Sequence, residues 1–340
     1  MKDNVTSSDV ARRAGVSQSA VSRAFTPGAS VSSTMRAKVL QAAEELDYRP
    51  NALARSLITQ RSRIVGIALA YLDNQYYPMA LEKLSRRLQD DGYHTMVFFA
   101  LNKEPADALV ATFLQYQVDA VILASCALST PWVAACERAG VPVVLFNRSH
   151  IEPQFSAVTS DNVDGGRKVA EFLLAGGHER IGYIAGWEGA STQRDREAGF
   201  RAGLAAAGRE HCARTVGDYA DEPSRQAARA MFDRPAKERP DAVFVANDHM
   251  ALIVMDVLRY ELGLRIPQDV SVVGYDDVPQ AAWPAYALTT LRQPVNRMVE
   301  STVRVLLERI ERPDAPPERV EIKGPLMIRD SARVPAGFRQ

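Results

Sequence analysis

The sequence is poor in cysteine, in aromatic side chains and in long apolar runs. Its three cysteines, Cys126, Cys136 and Cys212, cannot form a fully paired framework. None lies in a CxxC pair or a Cys/His cluster, so disulfide scaffolds and metal sites are excluded, and a reducing cytoplasm is the expected compartment. No apolar stretch approaches the roughly 18–20 residues of a membrane span. The start, Met1-Lys2-Asp3-Asn4, lacks the apolar core of a signal peptide, so export is not expected. No internal repeat or low-complexity tract stands out. Net charge is also lacking, with 41 basic residues against 41 acidic ones.

What is present is an ordinary globular composition, 46% hydrophobic and 24% charged. A chain of 340 residues suggests two or three domains. The charge is unevenly spread. Residues 1–63 carry ten basic and five acidic side chains, so the head is +5 and the remainder −5. Such asymmetry fits a polyanion-binding arm on an acidic body, or simply a solvated basic face.

Thr6-Ser7-Ser8-Asp9 has the pattern of a helix start, with Thr6 as cap and Asp9 at the third position. Val10, Ala11 and Ala14 share one face, and Gly15 ends the helix. Ser17 caps a second helix in which Val21, Ala24 and Phe25 point one way. Gln18, Ser19, Ser22 and Arg23 point the other. Two short helices about a glycine turn make a helix-turn-helix pattern. The outward residues suit the base edges of a major groove. Ser32 caps a third helix through Val39, Ala42, Ala43 and Leu46, which Tyr48-Arg49-Pro50 should stop. The following segment, Asn51-Ala52-Leu53-Ala54-Arg55-Ser56-Leu57, has good helix formers but is too short to be stable alone. It is expected to fold only on DNA or against a second copy.

From Arg63 onward, strand-like runs alternate with helical ones. Strands are expected at 64–69, 95–99, 120–123 and 143–146, then at 181–184, 242–245 and 270–273. Helices are expected at 79–89, 166–174, 197–207 and 250–262. This alternation predicts parallel sheets wrapped by helices, in two sets that divide near Ser160-Asp161. The fold class is therefore α/β: an all-α helix-turn-helix headpiece followed by two doubly wound α/β subdomains.

Open α/β sheets bind ligands beyond the carboxyl ends of their strands. There lie Asp73-Asn74-Gln75-Tyr76-Tyr77-Pro78, Ser125, Asn147-Arg148, Arg194-Asp195-Arg196, Asp218-Tyr219, Asn247-Asp248 and Tyr275-Asp276-Asp277. Aromatic faces with amides, carboxylates and guanidinium groups suit a polyol, although polar residues populate any loop. Arg148 with Arg196 also admits a carboxylate ligand. The competing reading is a soluble enzyme of doubly wound fold acting on a small metabolite. No GxSxG, GxxxxGK[ST], HExxH or GxGxxG pattern supports it. Asn247-Asp248-His249 is its only candidate cluster, and sequential neighbours rarely face one substrate atom.

The run from Ser8 to Arg23, with Val31-Ser32, Tyr48-Arg49-Pro50-Asn51, Ala54 and Leu57, resembles the lactose-repressor/galactose-repressor family of bacterial transcription regulators. In the body, Val158-Thr159-Ser160-Asp161-Asn162, Gly176-Gly177-His178-Glu179-Arg180, Arg196-Glu197-Ala198-Gly199-Phe200, Ala246-Asn247-Asp248 and Gly274-Tyr275-Asp276-Asp277 are similar to its effector-domain motifs. The resemblance implies a DNA-binding domain at 1–50, a hinge helix and linker at 51–62, and a periplasmic-binding-protein-like effector domain at 63–340. The subdomains would be 63–160 with 291–322, and 161–290 with 323–340. It implies Ser7, Ser17, Gln18, Ser19, Ser22, Arg23, Asn51, Ala54 and Leu57 as the DNA-binding set, with Leu57 wedged into the minor groove. It implies Tyr77, Asn147, Arg196, Tyr219, Asn247 and Asp276 at the effector cleft, to which Tyr76, Ser125, Arg148 and Gln293 are added as further candidates. His178 is expected to be structural, and Trp283 either a cleft aromatic or packing. Operator DNA and a small sugar-like effector are the implied partners, with no membrane, metal or cofactor. The C-terminal segment from Ile328 to Gln340 carries no leucine heptad, so a homodimer is expected.

Overall fold

A computed structural model describes residues 5–26, 28–50, 61–99, 107–124, 135–136, 138–149, 155–211 and 213–337. The chain divides into two units, Met1–Ser62 and Arg63–Gln340. No helix of the described residues is long and apolar enough to cross a membrane.

The first unit is built from α1 (Ser7–Ala14), α2 (Gln18–Ala24) and α3 (Ser33–Glu45). Each begins where its cap is written. Thr6 and Asp9 form a reciprocal capping box, and Ser17 and Ser32 accept from the backbone of Ala20 and Met35. Gly15 ends α1 at φ 66°, a left-handed conformation that a Cβ would disfavour. Val10, Ala11, Val21, Ala24, Val39, Ala42 and Ala43 close the core between the helices.

The second unit contains two six-stranded sheets. In the first the order is β11-β5-β4-β3-β1-β2, from β1 (Ile64–Leu69), β2 (His94–Phe99), β3 (Ala120–Ala124), β4 (Val143–Phe146), β5 (Ser156–Ser160) and β11 (Arg319–Ile322). All its pairings are parallel. Successive strand residues serve opposite cores: Val65, Ile67, Ile122, Val144 and Phe146 on one face, Ala68, Val121, Leu123, Val143 and Leu145 on the other. Apolar residues on both faces require helices on both faces.

The second sheet has the order β12-β10-β9-β8-β6-β7, from β6 (Ile181–Ala185), β7 (Ala213–Val216), β8 (Ala242–Val245), β9 (Ser271–Asp276), β10 (Thr289–Arg292) and β12 (Leu326–Met327). Only β12 runs antiparallel, on β10. The chain therefore passes between the sheets after β5, after β10 and after β11. Helices α4 (Tyr76–Asp90), α5 (Asp107–Gln115) and α10 (Val295–Glu311) belong with the first sheet; α10 packs on α4, β4 and β5. Helices α6 (Asn162–Ala175), α7 (Ser191–Ala206), α8 (Asp221–Phe232) and α9 (Asp248–Asp256) surround the second.

Several boundaries differ from those expected. α4 starts three residues before Met79, because Pro78 sits in its first turn, where no intrahelical N–H is needed. α6 starts at Asn162 because Asp161 caps it, accepting from the Asp164 N–H at 2.9 Å. α7 starts at Ser191, six residues early, on a polar turn without apolar periodicity. The helix expected at 250–262 is α9 followed by a π-helical turn, Val257–Glu261. Strand β9 runs to Asp276, so Tyr275 and Asp276 lie in the strand and not beyond it.

Helices α6 and α7 touch through their backbones. A Cβ on Gly199 would meet the Val163 carbonyl oxygen at 1.9 Å, and one on Gly166 would meet the Arg196 carbonyl oxygen at 2.1 Å. No flexible side chain can yield there. Gly199→Ala should therefore destabilise the second unit by about 1–3 kcal/mol, the usual cost of overpacking. A denaturant titration followed by circular dichroism measures it, and an unchanged midpoint would contradict the close approach.

Candidate functional site

The first unit presents one polar surface. Gln18, Ser19, Ser22 and Arg23 are exposed along α2, while Ala20, Val21 and Ala24 are buried. The Gln18 amide donates to the Ser7 hydroxyl at 2.8 Å, which brings those two side chains together. Arg23 Nε donates to the Ser19 carbonyl at 3.3 Å. Ser17 is exposed and spent on its cap, with its hydroxyl 3.0 Å from that of Ser19. Asn51, Ala54 and Leu57 lie outside the described residues.

The second unit has a cavity of about 290 Å³, counted with its open mouth, lined by Tyr71, Asn74, Tyr77, Asn147, Arg148, Thr192, Arg196, Tyr219, Asn247 and Asp276. Parallel strands place it. The loops after β1 and β4 supply Tyr71, Asn74, Tyr77, Asn147 and Arg148 from the first sheet. Those after β6, β7 and β8, with the end of β9, supply the rest. Direct contacts bridge the two lobes around it. Asn74 Nδ2 donates to Asp276 Oδ2 at 3.3 Å, and the Ser149 N–H donates to the Ser191 hydroxyl at 3.0 Å. The Tyr71 and Tyr219 rings meet edge to face at 6.0 Å. Four lining residues adopt positive φ: Tyr71 at 60°, Asn147 at 70°, Tyr219 at 58° and Asp276 at 127°.

Arg196 is only 2% exposed, and each of its three side-chain nitrogens donates one hydrogen bond. Its Nε donates to Asn162 Oδ1 at 2.9 Å, Nη1 to the Ala246 carbonyl at 2.6 Å and Nη2 to Asp276 Oδ1 at 3.3 Å. Its guanidinium lies 3.7 Å from the centroid of Tyr275. Burial works to lower its pKa, but Asp276 and the surrounding tyrosines outweigh that, and the group stays charged. Asp276 also accepts from Gln293 Nε2 at 2.7 Å. The Arg196–Asp276 pair belongs to one lobe and does not bridge the cleft.

Arg148 differs. It is 8% exposed, its guanidinium lies 5.2 Å from the ring centroids of both Tyr71 and Trp187, and no carboxylate of the described residues is within 4.0 Å. Its Nε is buried without a hydrogen-bond partner, as is Asn147 Oδ1. Asn147 Nδ2 donates to the Tyr77 hydroxyl at 2.9 Å.

Of the expected cleft residues, the cavity brings together Tyr77, Asn147, Arg148, Arg196, Tyr219, Asn247 and Asp276. Tyr76 is a correction: it is fully buried, stacks on Phe146 and points its hydroxyl at Met298 Sδ, 3.4 Å away. Consecutive helical residues diverge by about 100°, so Tyr76 and Tyr77 cannot both face one cavity. Gln293 acts behind the lining, through Asp276. Ser125 lies outside the described residues. Trp283 is 53% exposed and apart from the cavity lining. His178 is buried beside Asp241, and its pKa is lowered to about 4 by burial and then by Arg333, so it is a neutral structural residue. Asn247 has a second duty, since its side chain caps α9 by accepting from the Met250 N–H at 3.0 Å. Tyr71 and Thr192 were missed as lining residues, and Asn74 was placed at its strand end without being singled out. The same rule about strand ends points to Tyr71; Thr192 sits in the unexpected first turn of α7. Among the described residues no three His, Cys, Asp or Glu side chains gather as a metal site requires.

Residues 6–51 match the family described as bacterial regulatory proteins, lacI family, and residues 170–332 match the periplasmic binding protein-like domain. The ribose operon repressor of Escherichia coli (strain K12) is 32% identical over 331 residues, covering 96% of this chain and 99% of its own. Two solved structures are similar along most of their length. One is a lac repressor dimer bound to operator and the anti-inducer ONPF, with TM-score 0.86, 29% identity and coverage of 97% and 99%. The other is the transcriptional regulator CelR in complex with cellobiose, with TM-score 0.73, 31% identity and coverage of 97% and 100%.

Behind Asp276 lies a second buried carboxyl, Asp248, which accepts from the Thr290 hydroxyl at 2.6 Å and the Val278 N–H at 3.0 Å. Burial, and then the Asp276 carboxylate, raise its pKa from 3.8 to about 7. Between those values the folded protein holds a proton that the unfolded chain has lost. Stability should therefore fall as pH rises from about 4 to 7, by at most about 1.4 kcal/mol per pH unit for one proton. Asp248→Asn should flatten that part of the melting-temperature profile. An equally steep profile in the variant would assign the slope to other groups.

Proposed function

Because the chain belongs to the lacI family of bacterial regulatory proteins, a family of DNA-binding transcription regulators and not of enzymes, we propose that it is a homodimeric repressor whose hold on operator DNA is set by a small sugar-like effector in the cleft. The observation that carries this reading is the combination in one chain. A helix with exposed Gln18, Ser19, Ser22 and Arg23 belongs to the same chain as a two-lobed body whose cavity draws polar and aromatic side chains from both lobes. The first suits base edges and the second a polyol. The lac repressor structure is a dimer on operator, which supports the same assembly here and a near-palindromic site. Work on operator DNA makes the cytoplasm its compartment, and the reading calls for no cofactor.

In this reading Gln18, Ser19 and Arg23 read bases, while Ser7, Ser17 and Ser22 position the helix. Asn51, Ala54 and Leu57 form the hinge contact, with Leu57 as an apolar wedge. Tyr77, Asn147, Tyr219 and Asn247 address the effector around the Arg196–Asp276 pair, with Tyr71, Asn74 and Thr192 beside them. The effector acts by favouring one arrangement of the lobes, and it can shift that equilibrium only by its difference in affinity for the two.

Selection from random duplex DNA tests the DNA half. The wild type should enrich a two-fold symmetric site, and joint replacement of Gln18 and Ser19 should change its half-sites, since each good base contact contributes about 1–3 kcal/mol of discrimination. An unchanged site would remove them as readers. Leu57→Ala should lose most specific binding yet keep salt-sensitive nonspecific binding, which rests on phosphate contacts. For the effector half, the readout is the ratio of operator affinities with and without effector. Asn147→Ala should bring that ratio towards one, and a full response in the variant would break the cleft assignment.

A further inference from the structure

The cavity carries one positive charge too many. Its charged lining residues are Arg148, Arg196 and Asp276. Arg196 and Asp276 pair at 3.3 Å, and every nitrogen of Arg196 already donates. Arg148 has nothing equivalent. Tyr71 and Trp187 flank its guanidinium, its Nε is buried without a partner, and no carboxylate of the described residues is within 4.0 Å. The other buried carboxyl, Asp248, is not part of the lining and is engaged by Thr290 and Val278. A cation largely removed from water, with only two rings beside it among the described residues, is costly unless something completes it.

Resting on the cleft reading above, we propose that the effector is a sugar acid, a polyol bearing one carboxylate, and that the carboxylate docks on Arg148. The guanidinium lies over both rings at 5.2 Å, and its Nε is a buried donor still without an acceptor. A carboxylate matches the planar edge of a guanidinium with two parallel acceptors. Its single charge also matches the surplus of one, whereas a phosphate ester, near −2, would over-neutralise the cavity. The hydroxyl end of the ligand then meets the amides of Asn147 and Asn247 and the Tyr77 and Tyr219 hydroxyls. Asn147 Oδ1, buried without a partner, is an acceptor for a sugar hydroxyl. Trp187 follows β6 and Arg148 follows β4, so their contact spans the lobes, and a carboxylate placed on Arg148 sits where closure is decided.

The test is calorimetric titration of the full-length protein with gluconate, glucuronate and galacturonate. Glucose and galactose serve as neutral counterparts and glucose 6-phosphate as the phosphorylated one. At least one acid should bind about tenfold or more tightly than its neutral counterpart and than the phosphate ester, the effect of one charge-assisted hydrogen-bonded pair. Arg148→Gln keeps a planar polar group without the charge and should bring the acid-to-neutral ratio to within about twofold, while Arg148→Lys keeps part of the preference. Equal or better binding of a neutral sugar, tighter binding of the phosphate ester, a ratio that survives Arg148→Gln, or no response to any acid overturns the proposal. Failure of the underlying cleft reading looks different. There an acid binds the wild type but its affinity responds to neither Arg148→Gln nor Asn147→Ala, whereas a neutral sugar sensitive to Asn147→Ala preserves the cleft and removes only the carboxylate.

Discussion

The body is organised around one buried guanidinium. Arg196 ties the start of α6 through Asn162, the end of β8 through Ala246 and the end of β9 through Asp276, and it covers the Tyr275 ring. A charge so deep persists only because each nitrogen has an acceptor and an opposite charge is beside it. The requirement also works in reverse: three separate chain segments must be in place before Arg196 is satisfied. The side chain thereby fixes the floor of the cavity and the orientation of the Asp276 carboxylate at once. The backbone contacts of Gly166 and Gly199 serve this arrangement, because they set the depth at which α7, and with it Arg196, enters the lobe.

The contacts between lobes are of another kind. Asn74 with Asp276, Ser149 with Ser191, Ser160 with Tyr275, the Tyr71–Tyr219 edge contact and Arg148 against Trp187 are single polar or aromatic contacts. Each lobe has its own apolar sheet, although one buried cluster runs on from the first sheet into the second. Such a division allows rigid lobes to change their relation while the chain connections after β5, β10 and β11 absorb the movement. A ligand in the cavity touches the same residues that make the closing contacts, which gives it a direct influence on that relation.

Much of this was readable from residue order. Thr6, Ser17, Ser32 and Gly15 mark the headpiece helices because caps act locally, within one turn. The core strands are legible because four consecutive apolar residues such as Val143–Phe146 have few other uses. Strand β5 was not, since Ser156, Thr159 and Ser160 look like a loop until neighbouring strands supply burial and pairing. The return of β11 to the first sheet, on a partner more than 150 residues away, came from the resemblance, which grouped 291–322 with 63–160, and not from residue order. At the cleft, strand-end position offered Asn147, Arg148, Tyr219, Asn247 and Asp276 among many loop residues, and the resemblance singled out all of these but Arg148. Direction within a helix decided Tyr77 over Tyr76, and the early start of α7 hid Thr192. Pairing was the least visible property. Nothing local announces that Arg196 has a carboxylate partner while Arg148 has none among the described residues.

The left-handed backbone of four lining residues bears on how this receptor can change its taste. Asn and Asp tolerate positive φ better than most side chains, and Asn147 and Asp276 stand at 70° and 127°. Exchange at these two positions is confined to the few residues that accept such a backbone, whatever a new ligand would prefer. Tyr71 and Tyr219 already bear a conformational strain of roughly 1–3 kcal/mol each and have little room for a β-branched replacement. Arg148 and Thr192 sit on ordinary backbone and are open to any side chain that fits. A library built to redirect the receptor, or a lineage diverging under new substrates, would find its variation at those two positions, while the strained four stay as a fixed frame.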